Sequence, residues 1–346
     1  AWPARFAELV RRTMTSVAVI GAGLSGLVVA RRLQAVADVV VFEKSRGPGG
    51  RMATRYAGDY AFDHGAQFFT ARSAGFRAFL QPLLAAGSVK AWPARFAELD
   101  RGTITSERVW GGDYPHYVGA PGMNQVGKSL AEGLDVRLES TVARIERRDE
   151  SWQLSDAAKT GLGRFDWVVL AMPAAQTAAL AQGFDDLAAL AAARNMLGCF
   201  ALMLGLQRPL DLPWDAALVR NAPISWVSVN SSKPDRGKQQ TLVVHSTNAW
   251  ANAHLDDEID EVRAYLVEQA SLVVGTDLCD ADHCRVHRWR YANIGKQSGP
   301  AFYLDKESQL AACGDWFRRG RIEAAYTSGA KLAAALGARL GAPVGS

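Results

Sequence analysis

Apolar and polar residues alternate along this chain in two distinguishable periods. Residues 16–20 (SVAVI) form a short unbroken apolar run that ends at Gly21. Residues 24–35 (LSGLVVARRLQA) then place apolar side chains at helical spacing, and Val39–Phe42 is a second apolar run. Strand, glycine turn, helix and strand in that order open a Rossmann-type unit with a parallel sheet. After residue 72 the pattern changes. Residues 73–87 predict a helix. Residues 88–120 mix aromatic residues with turn formers and predict strands and loops. The Pro-Gly turn at 121–122 introduces a helix near 122–133.

Residues 134–169 predict three strands, LDVRLES, VARIERRDESWQL and GRFDWVVLA, the last a buried strand ending at Met172-Pro173. An alanine-rich helix follows over 174–194. Segments 197–207, 217–230 and 240–248 predict strands of a further sheet, followed by a helix near 256–273 and a strand at 283–292. A Gly-Asp turn at 314–315 and a helix over about 322–340 close the chain. No low-complexity linker separates two consecutive domains. The nucleotide-binding elements fall at both ends and in the middle, so the expected fold is α/β. A discontinuous Rossmann-type domain (14–72, 121–180 and 284–346) carries an inserted α+β substrate domain (73–120 and 181–283) on a mainly antiparallel sheet.

Composition narrows this little. The chain has 346 residues, 49% hydrophobic and 21% charged, with a formal charge of +4. These values fit an ordinary soluble protein. No lysine/arginine block suggests a nucleic-acid partner, and no apolar run approaches the roughly 20 residues of a membrane span. Cys199, Cys279, Cys284 and Cys313 form no CxxC pair, which points to a reducing, cytoplasmic setting. Arg11-Arg12 precede an apolar stretch, but that stretch reads as the first strand, turn and helix rather than as an export signal. AWPARFAEL occurs at 1–9 and again at 91–99. With Met14 standing just before the first strand, residues 1–13 are expected to be a leader or a gene-boundary artefact.

Three motifs carry chemistry. Gly21-x-Gly23-x-x-Gly26, with Leu24 and Ser25 inside it, follows a strand and opens a helix. That context suits a pyrophosphate: Gly21 allows the turn, Gly23 the close approach, Gly26 the helix–strand packing. Glu43 ends the next apolar run, where a carboxylate accepts from both hydroxyls of an adenosine ribose and repels a 2′-phosphate. This selects FAD or NAD over NADP. The third is RGPGGRMATR at 46–55. A flavin dinucleotide continues beyond its pyrophosphate. Gly49-Gly50 would let a second loop pass close to it, and Arg51 would offer charged donors. The expected cofactor is therefore FAD.

The run Glu43-Lys44-Ser45-Arg46-Gly47-Pro48-Gly49-Gly50-Arg51-Met52-Ala53-Thr54 resembles the E-x(6)-G-G-R-x-x-T segment of the flavin-containing amine oxidase superfamily. Within it the chain most resembles the renalases and their bacterial relatives, through FDHGAQFFTAR (62–72), ISWVSVNSSKPDR (224–236) and HRWRYA (287–292). The resemblance runs from Ser16 to about Leu340. It implies that Gly65, Ala66, Gln67 and Phe68 lie beside the flavin and that Val142 meets the adenine through its backbone. Met172 and Pro173 would end a strand near the cofactor. Gly314 and Asp315 would belong to the last flavin motif, Asp315 accepting from the ribitol. Glu323, Ala324 and Ala325 would place a helix N-terminus at the flavin pyrimidine. The usual glycine is Ala324 here. Cys313 is expected to be a packed residue, and the FAD non-covalent.

The chemistry implied is hydride transfer to flavin N5, with reoxidation by O2 giving H2O2. Candidate pocket residues are His64, Phe69, His245, Trp289 and Tyr291. Trp289 and Tyr291 are two apart on an expected strand and would share a face. The renalase resemblance implies a reduced nicotinamide isomer as substrate, and the amine-oxidase ancestry a primary or secondary amine. Arg72, Lys233, Arg236, Arg288, Arg290 and Lys296 are expected near the pocket mouth, which favours the anionic nicotinamide nucleotide. Rivals are a non-catalytic nucleotide-binding module and a plain NAD dehydrogenase. Cys279, His283, Cys284 and His287 lie within nine residues. Strand geometry would not make the two histidines converge, so no metal is expected.

Overall fold

The computed structural model describes residues 14–112 and 114–341. The expected leader at 1–13 lies outside them. The chain divides into two compact units: one runs up to Gly50 and takes in Gly127–Asn195 and the chain from Ile294, the other holds Arg51–Val126 and Met196–Asn293. Segments 51–72 and 284–293, expected with the nucleotide-binding domain, sit in the second unit.

The first unit is built on a six-stranded sheet in the order Phe302–Asp305, Leu310–Cys313, Trp167–Leu170, Ser16–Ile20, Asp38–Phe42 and Asp135–Arg137. Its last five strands are parallel, and only Phe302–Asp305 is antiparallel. Val17, Val19, Val41, Val168 and Val169 have no exposed surface, as β-branched residues in a sheet covered on both faces should. Helices Leu24–Leu33 and Ile322–Arg339 lie against each other. Gly329 makes this possible, because a Cβ there would sit 2.5 Å from the Ser25 carbonyl oxygen. A separate three-stranded antiparallel sheet spans Arg144–Arg148, Ser151–Ser155 and Gly161–Phe165.

The second unit carries a seven-stranded sheet in the order His283–Asn293, Leu197–Leu206, Gln240–Ser246, Ile224–Val229, Ala216–Arg220, Arg95–Asp100 and Thr103–Val109. Every pairing is antiparallel except Ala216–Arg220 with Arg95–Asp100. One face packs Phe200, Leu202, Leu204, Val227, Leu242 and Val244 against Val262, Leu266 and Ala270 of helix Ile259–Val274. The strand period of two therefore turns Met203, Ser228, Val243 and His245 to the other face. There Met203 and Val243 pack on Phe62.

Several expected elements are subdivided. The three strands expected over 134–169 are five. Asp149, at φ 55°, turns a two-residue hairpin between Arg148 and Ser151, and Trp167–Leu170 leaves for the parallel sheet. The helix expected over 174–194 is two, Ala174–Leu180 and Asp185–Ala192, parted by Gly183 at φ 91°. The strand expected over 217–230 breaks at Asn221, φ 56°. The hairpin Thr54–Ala57/Tyr60–Asp63, the helix Asn248–Ala253 and the pair Phe302–Asp305/Leu310–Cys313 were not anticipated. They are short, and short elements carry too few periods to stand out.

Candidate active site

In the first unit the glycine motif is held by backbone. The Gly21 amide donates to Phe42 O at 2.8 Å, at φ 109°, and a Cβ there would lie 2.8 Å from Ala171 O. A Cβ on Gly26 would lie 2.1 Å from Gly21 O. Gly23 differs: nothing lies within 4 Å of its absent Cβ. It caps helix Leu24–Leu33 without a side-chain hydrogen bond, and the first turn carries no acidic residue. That helix end thus keeps donors and a positive dipole end beside open space, which fits a pyrophosphate. The second loop closes on the first: Gly49 N donates to Ala22 O at 2.8 Å, and Gly23 and Gly49 form a parallel bridge.

Glu43 is buried, accepting from Ala22 N at 2.9 Å and Ser45 N at 2.8 Å. Each carboxylate oxygen keeps a lone pair, so a ribose hydroxyl remains within its capacity. Segment 139–142 docks beside it, with Ser140 N donating to Glu43 O at 2.9 Å, and Val142 is buried. Leu24 and Ser25 are buried, and Ser25 Oγ donates to Ala325 O at 2.9 Å, joining the motif to the last helix. Trp316 Nε1 donates to Met172 O at 3.0 Å, and Ser328 Oγ accepts from Gly314 N at 2.9 Å. Pro173 caps helix Ala174–Leu180. Asp315 and Ala324 are buried, Glu323 lies in the first turn of its helix, and Lys44 is exposed. Cys313 has no exposed surface, and burial pushes its thiol far up. The loop residues, Glu43, Met172 and Ala325 are thus drawn together around one helix N-terminus, whose amide donors and nearby carboxylate acceptor suit FAD.

In the second unit Arg51 Nη1 donates to Ala292 O at 3.1 Å, and Arg51 O accepts from Ala66 N at 2.9 Å. A Cβ on Gly65 would sit 2.0 Å from Arg51 O, so only glycine allows this approach. Met52 is buried. Around these residues the sheet's second face gathers imidazoles. His64 stacks on Trp289 with centroids 5.4 Å apart, and His287 meets both rings edge-on. Trp289 Nε1 donates to His64 O at 2.8 Å. Gln67 Nε2 lies 3.3 Å from His245 Nε2. Burial is the main cause that pushes His64 down to about 3 and His245 and His287 down to about 4. All three are neutral at physiological pH.

Behind them lies a buried ion triad. Asp63 Oδ2 accepts from Lys233 Nζ at 3.2 Å and Arg236 Nη2 at 2.5 Å, and all three side chains have at most 1% exposure. Oδ1 accepts from Thr54 Oγ1 at 2.7 Å and Met123 N at 2.9 Å. Burial by itself would raise the Asp63 carboxyl; the two cations outweigh it and hold it below its ordinary value. Burial pushes Lys233 down to about 8. Lys233 and Arg236 are therefore not at a pocket mouth, as the sequence suggested, because an interior carboxylate claims them. Arg290 instead pairs with Asp256 at 2.7 Å, and Arg288 donates to Asp257 O.

Phe69 and Tyr291 stand apart from this cluster. Phe69 packs on Phe76 and Tyr117, at 6.1 and 5.9 Å. The ladder steps from Cys199↔Trp289 to Leu197↔Asn293, so residues 290–292 bulge out of register. No ring contact joins Tyr291 to Trp289 among the described residues. Phe68 enters an aromatic stack with Trp110, His116 and Trp226 at 4.7, 5.0 and 5.5 Å. In and beside it Trp92 Nε1, Trp226 Nε1 and His116 Nδ1 are buried with no hydrogen-bond partner among the described residues. Asp63, Ser228 and His287 join the polar cluster unannounced by local pattern; DHGAQ and NSSKP held the signal, but neither says which residue meets which. His283 stacks on Phe62 at 5.1 Å while His287 faces His64. Among the described residues no three His, Cys, Asp or Glu are placed to hold a metal ion.

The model of an NAD(P)-binding Rossmann-like domain matches residues 19–83, and that of a flavin-containing amine oxidoreductase matches residues 85–337. Among solved structures, the chain is similar to a protein from Exiguobacterium sp. 255-15 described as a protoporphyrinogen oxidase, at 10% identity and TM-score 0.74, over 94% of this chain and 99% of that one. It is also similar to cyclohexylamine oxidase from Brevibacterium oxydans IH-35A, at 15% identity and TM-score 0.69, over 95% and 100%. Wild-type putrescine oxidase bound to putrescine matches at 14% identity and TM-score 0.65, over 94% and 99%. At such identities the likeness is one of fold. No helix among the described residues is long and apolar enough to cross a membrane. The family match spans most of the chain and agrees with the cradle its residues build: this protein belongs to the flavin-containing amine oxidoreductases and is an FAD-dependent oxidoreductase.

Proposed function

We propose that the protein oxidises a reduced nicotinamide isomer, as the renalase resemblance implies, rather than an amine. The observation that carries this reading is the charge of the second unit's polar cluster. Its one buried carboxylate, Asp63, is matched by two cations, Lys233 and Arg236, so the triad is net positive. The three imidazoles beside it are held neutral, and Arg55 adds to the field that holds His64 and His287 down. A cationic amine would meet no uncompensated carboxylate here. A neutral dihydropyridine on an anionic nucleotide would meet no repulsion.

Bound FAD supplies the acceptor for a hydride and a route for the electrons to O2, giving H2O2. The chain's own residues do the rest. His64 and Trp289 present stacked flat faces 5.4 Å apart, a surface suited to an aromatic ring. The indole N–H groups of Trp92 and Trp226, without a hydrogen-bond partner among the described residues, suit an acceptor such as a carboxamide oxygen. None of the clustered imidazoles is charged, so none adds positive charge beside a substrate that becomes cationic as it loses hydride. No protein base is needed, because a dihydropyridine gives up hydride without losing a proton.

Anaerobic mixing of the flavin-loaded protein with candidate donors tests the proposal. Dihydronicotinamide isomers should bleach the oxidised-flavin band within seconds, while putrescine and cyclohexylamine leave it unchanged. Bleaching by the amines alone would reverse the assignment. Bleaching by neither would favour a nucleotide-binding module without turnover.

A further inference from the structure

The Gln67 amide lies between the ion triad and His245, and its surroundings admit only one orientation. On its oxygen side are Lys233 Nζ at 3.2 Å and Ser228 Oγ at 2.9 Å. An ammonium can only donate. On its nitrogen side are the carbonyl oxygens of Asp63 and, at 3.2 Å, Gly65, which can only accept. Turned over, the amide would set its oxygen against two carbonyls and its NH2 against an ammonium. Oε1 therefore faces Lys233, and Nε2 spends one hydrogen on the carbonyls and the other on His245 Nε2, 3.3 Å away. An imidazole nitrogen that receives a hydrogen bond carries no proton. The proton of neutral His245 must then sit on Nδ1.

We propose that Lys233 is a positioning residue: acting through the Gln67 amide, it holds His245 as the neutral Nδ1–H tautomer, with Nε2 as an acceptor. Three further contacts keep the lysine in place. Asn230 Oδ1 accepts from it at 2.8 Å, Asp63 Oδ2 at 3.2 Å, and its ammonium stands 5.3 Å from the Trp92 ring centre. The two largest influences on His245 agree in direction. Burial and the Lys233 charge disfavour a second proton, and only a hydrogen bond to the His64 backbone favours one. His245 is thereby excluded as a proton acceptor at Nε2 during turnover. This fits a hydride donor that releases no proton, and to that extent the inference rests on the substrate reading. The tautomer itself does not depend on it.

The test is nitrogen-15 spectroscopy of histidine-labelled holoprotein without substrate, with His245 assigned from the signals lost in His245→Asn. Wild type should show an acceptor-type Nε2 and a protonated Nδ1, unchanged from pH 7 to pH 5, where Lys233 stays charged. A protonated Nε2, or titration within that range, overturns the proposal. Lys233→Met leaves Asp63 paired one-to-one with Arg236, so the interior stays charge-balanced. It should turn the single His245 species into a tautomer mixture and slow flavin reduction at saturating donor about tenfold or more. Lys233→Arg, still a pure donor, should restore the wild-type signal. An unaltered tautomer in Lys233→Met refutes the role of the lysine. If that variant does not fold, Gln67→Met decides: it keeps the lysine and removes the amide, and a wild-type His245 signal in it refutes the relay. Failure of dihydronicotinamides to bleach the flavin would overturn the substrate reading and leave these spectra untouched.

Discussion

The two units solve the burial of polar chemistry in opposite ways. The first presents a nucleotide with backbone: glycines at 21, 23, 26 and 49, an uncapped helix end, and a single carboxylate, Glu43, tied by two main-chain amides. The second presents side chains, with one carboxylate locked between two cations and imidazoles stripped of their charge by burial. All six histidines lie in the second unit. A backbone site is insensitive to pH and intolerant of Cβ atoms. A side-chain site depends on every charge having its partner.

The sharpest way to break this contrast is to remove the central carboxylate. Asp63→Leu leaves Lys233 and Arg236 buried without an anion and should cost about 3–5 kcal/mol. Urea unfolding reads this as a lowered midpoint. A loss below about 1 kcal/mol would show that solvent reaches the triad.

Next in size are two glycine substitutions that should separate. Gly26→Ala forces a Cβ to within 2.1 Å of Gly21 O and should lower both apoprotein stability and flavin content. Gly23→Ala meets nothing within 4 Å, and its φ of −73° suits alanine. Apoprotein melting should move little, while FAD affinity falls about tenfold or more. Full flavin content in Gly23→Ala would place the cofactor elsewhere.

Acid should act on the second unit first. His64, His245 and His287 have folded-state values of about 3, 4 and 4 against an ordinary 6.5. Between these limits the unfolded chain binds more protons, so stability is complete above about pH 6.5 and is lost as pH falls toward 4. Each buried imidazole contributes up to about 1.4 kcal/mol per pH unit, His287 less because water reaches it. Hydrogen exchange across pH 8 to 4.5 should show protection falling in strand Gln240–Ser246 before strand Ser16–Ile20. Simultaneous loss in both would merge the two behaviours. The smallest effect is expected at exposed Cys279, where Cys279→Ser should stay within about 0.5 kcal/mol of wild type.

How much was legible follows the same division. The Rossmann opening could be read because each glycine answers a local demand: Gly21 a left-handed turn, Gly26 a helix passing over its own loop. Glu43 could be read because it stands at a fixed distance along one strand–helix–strand unit. The second unit's site could not. Lys233 and Arg236 read as exposed cations of a polar loop, and the one acidic residue beside them in sequence, Asp235, pairs instead with Lys90 at 2.6 Å. Their partner, Asp63, is 170 residues away from Lys233. Tyr291 was expected to share a face with Trp289, and a bulge in a ladder with residues 197–199 removed that regularity.

The parallel sheet, the FAD cofactor and the family could be read from the residues alone, because these depend on backbone conformation and on periods that repeat within one or two elements. Which charges meet was settled by the folded chain. Folding brings NSSKP back against DHGAQ, turns Lys233 inward onto Asp63, and sets Gln67 between that ion pair and His245. Burial then does what no local pattern encodes: it removes water as a competing partner, so that one ammonium fixes an amide and the amide fixes where an imidazole keeps its proton.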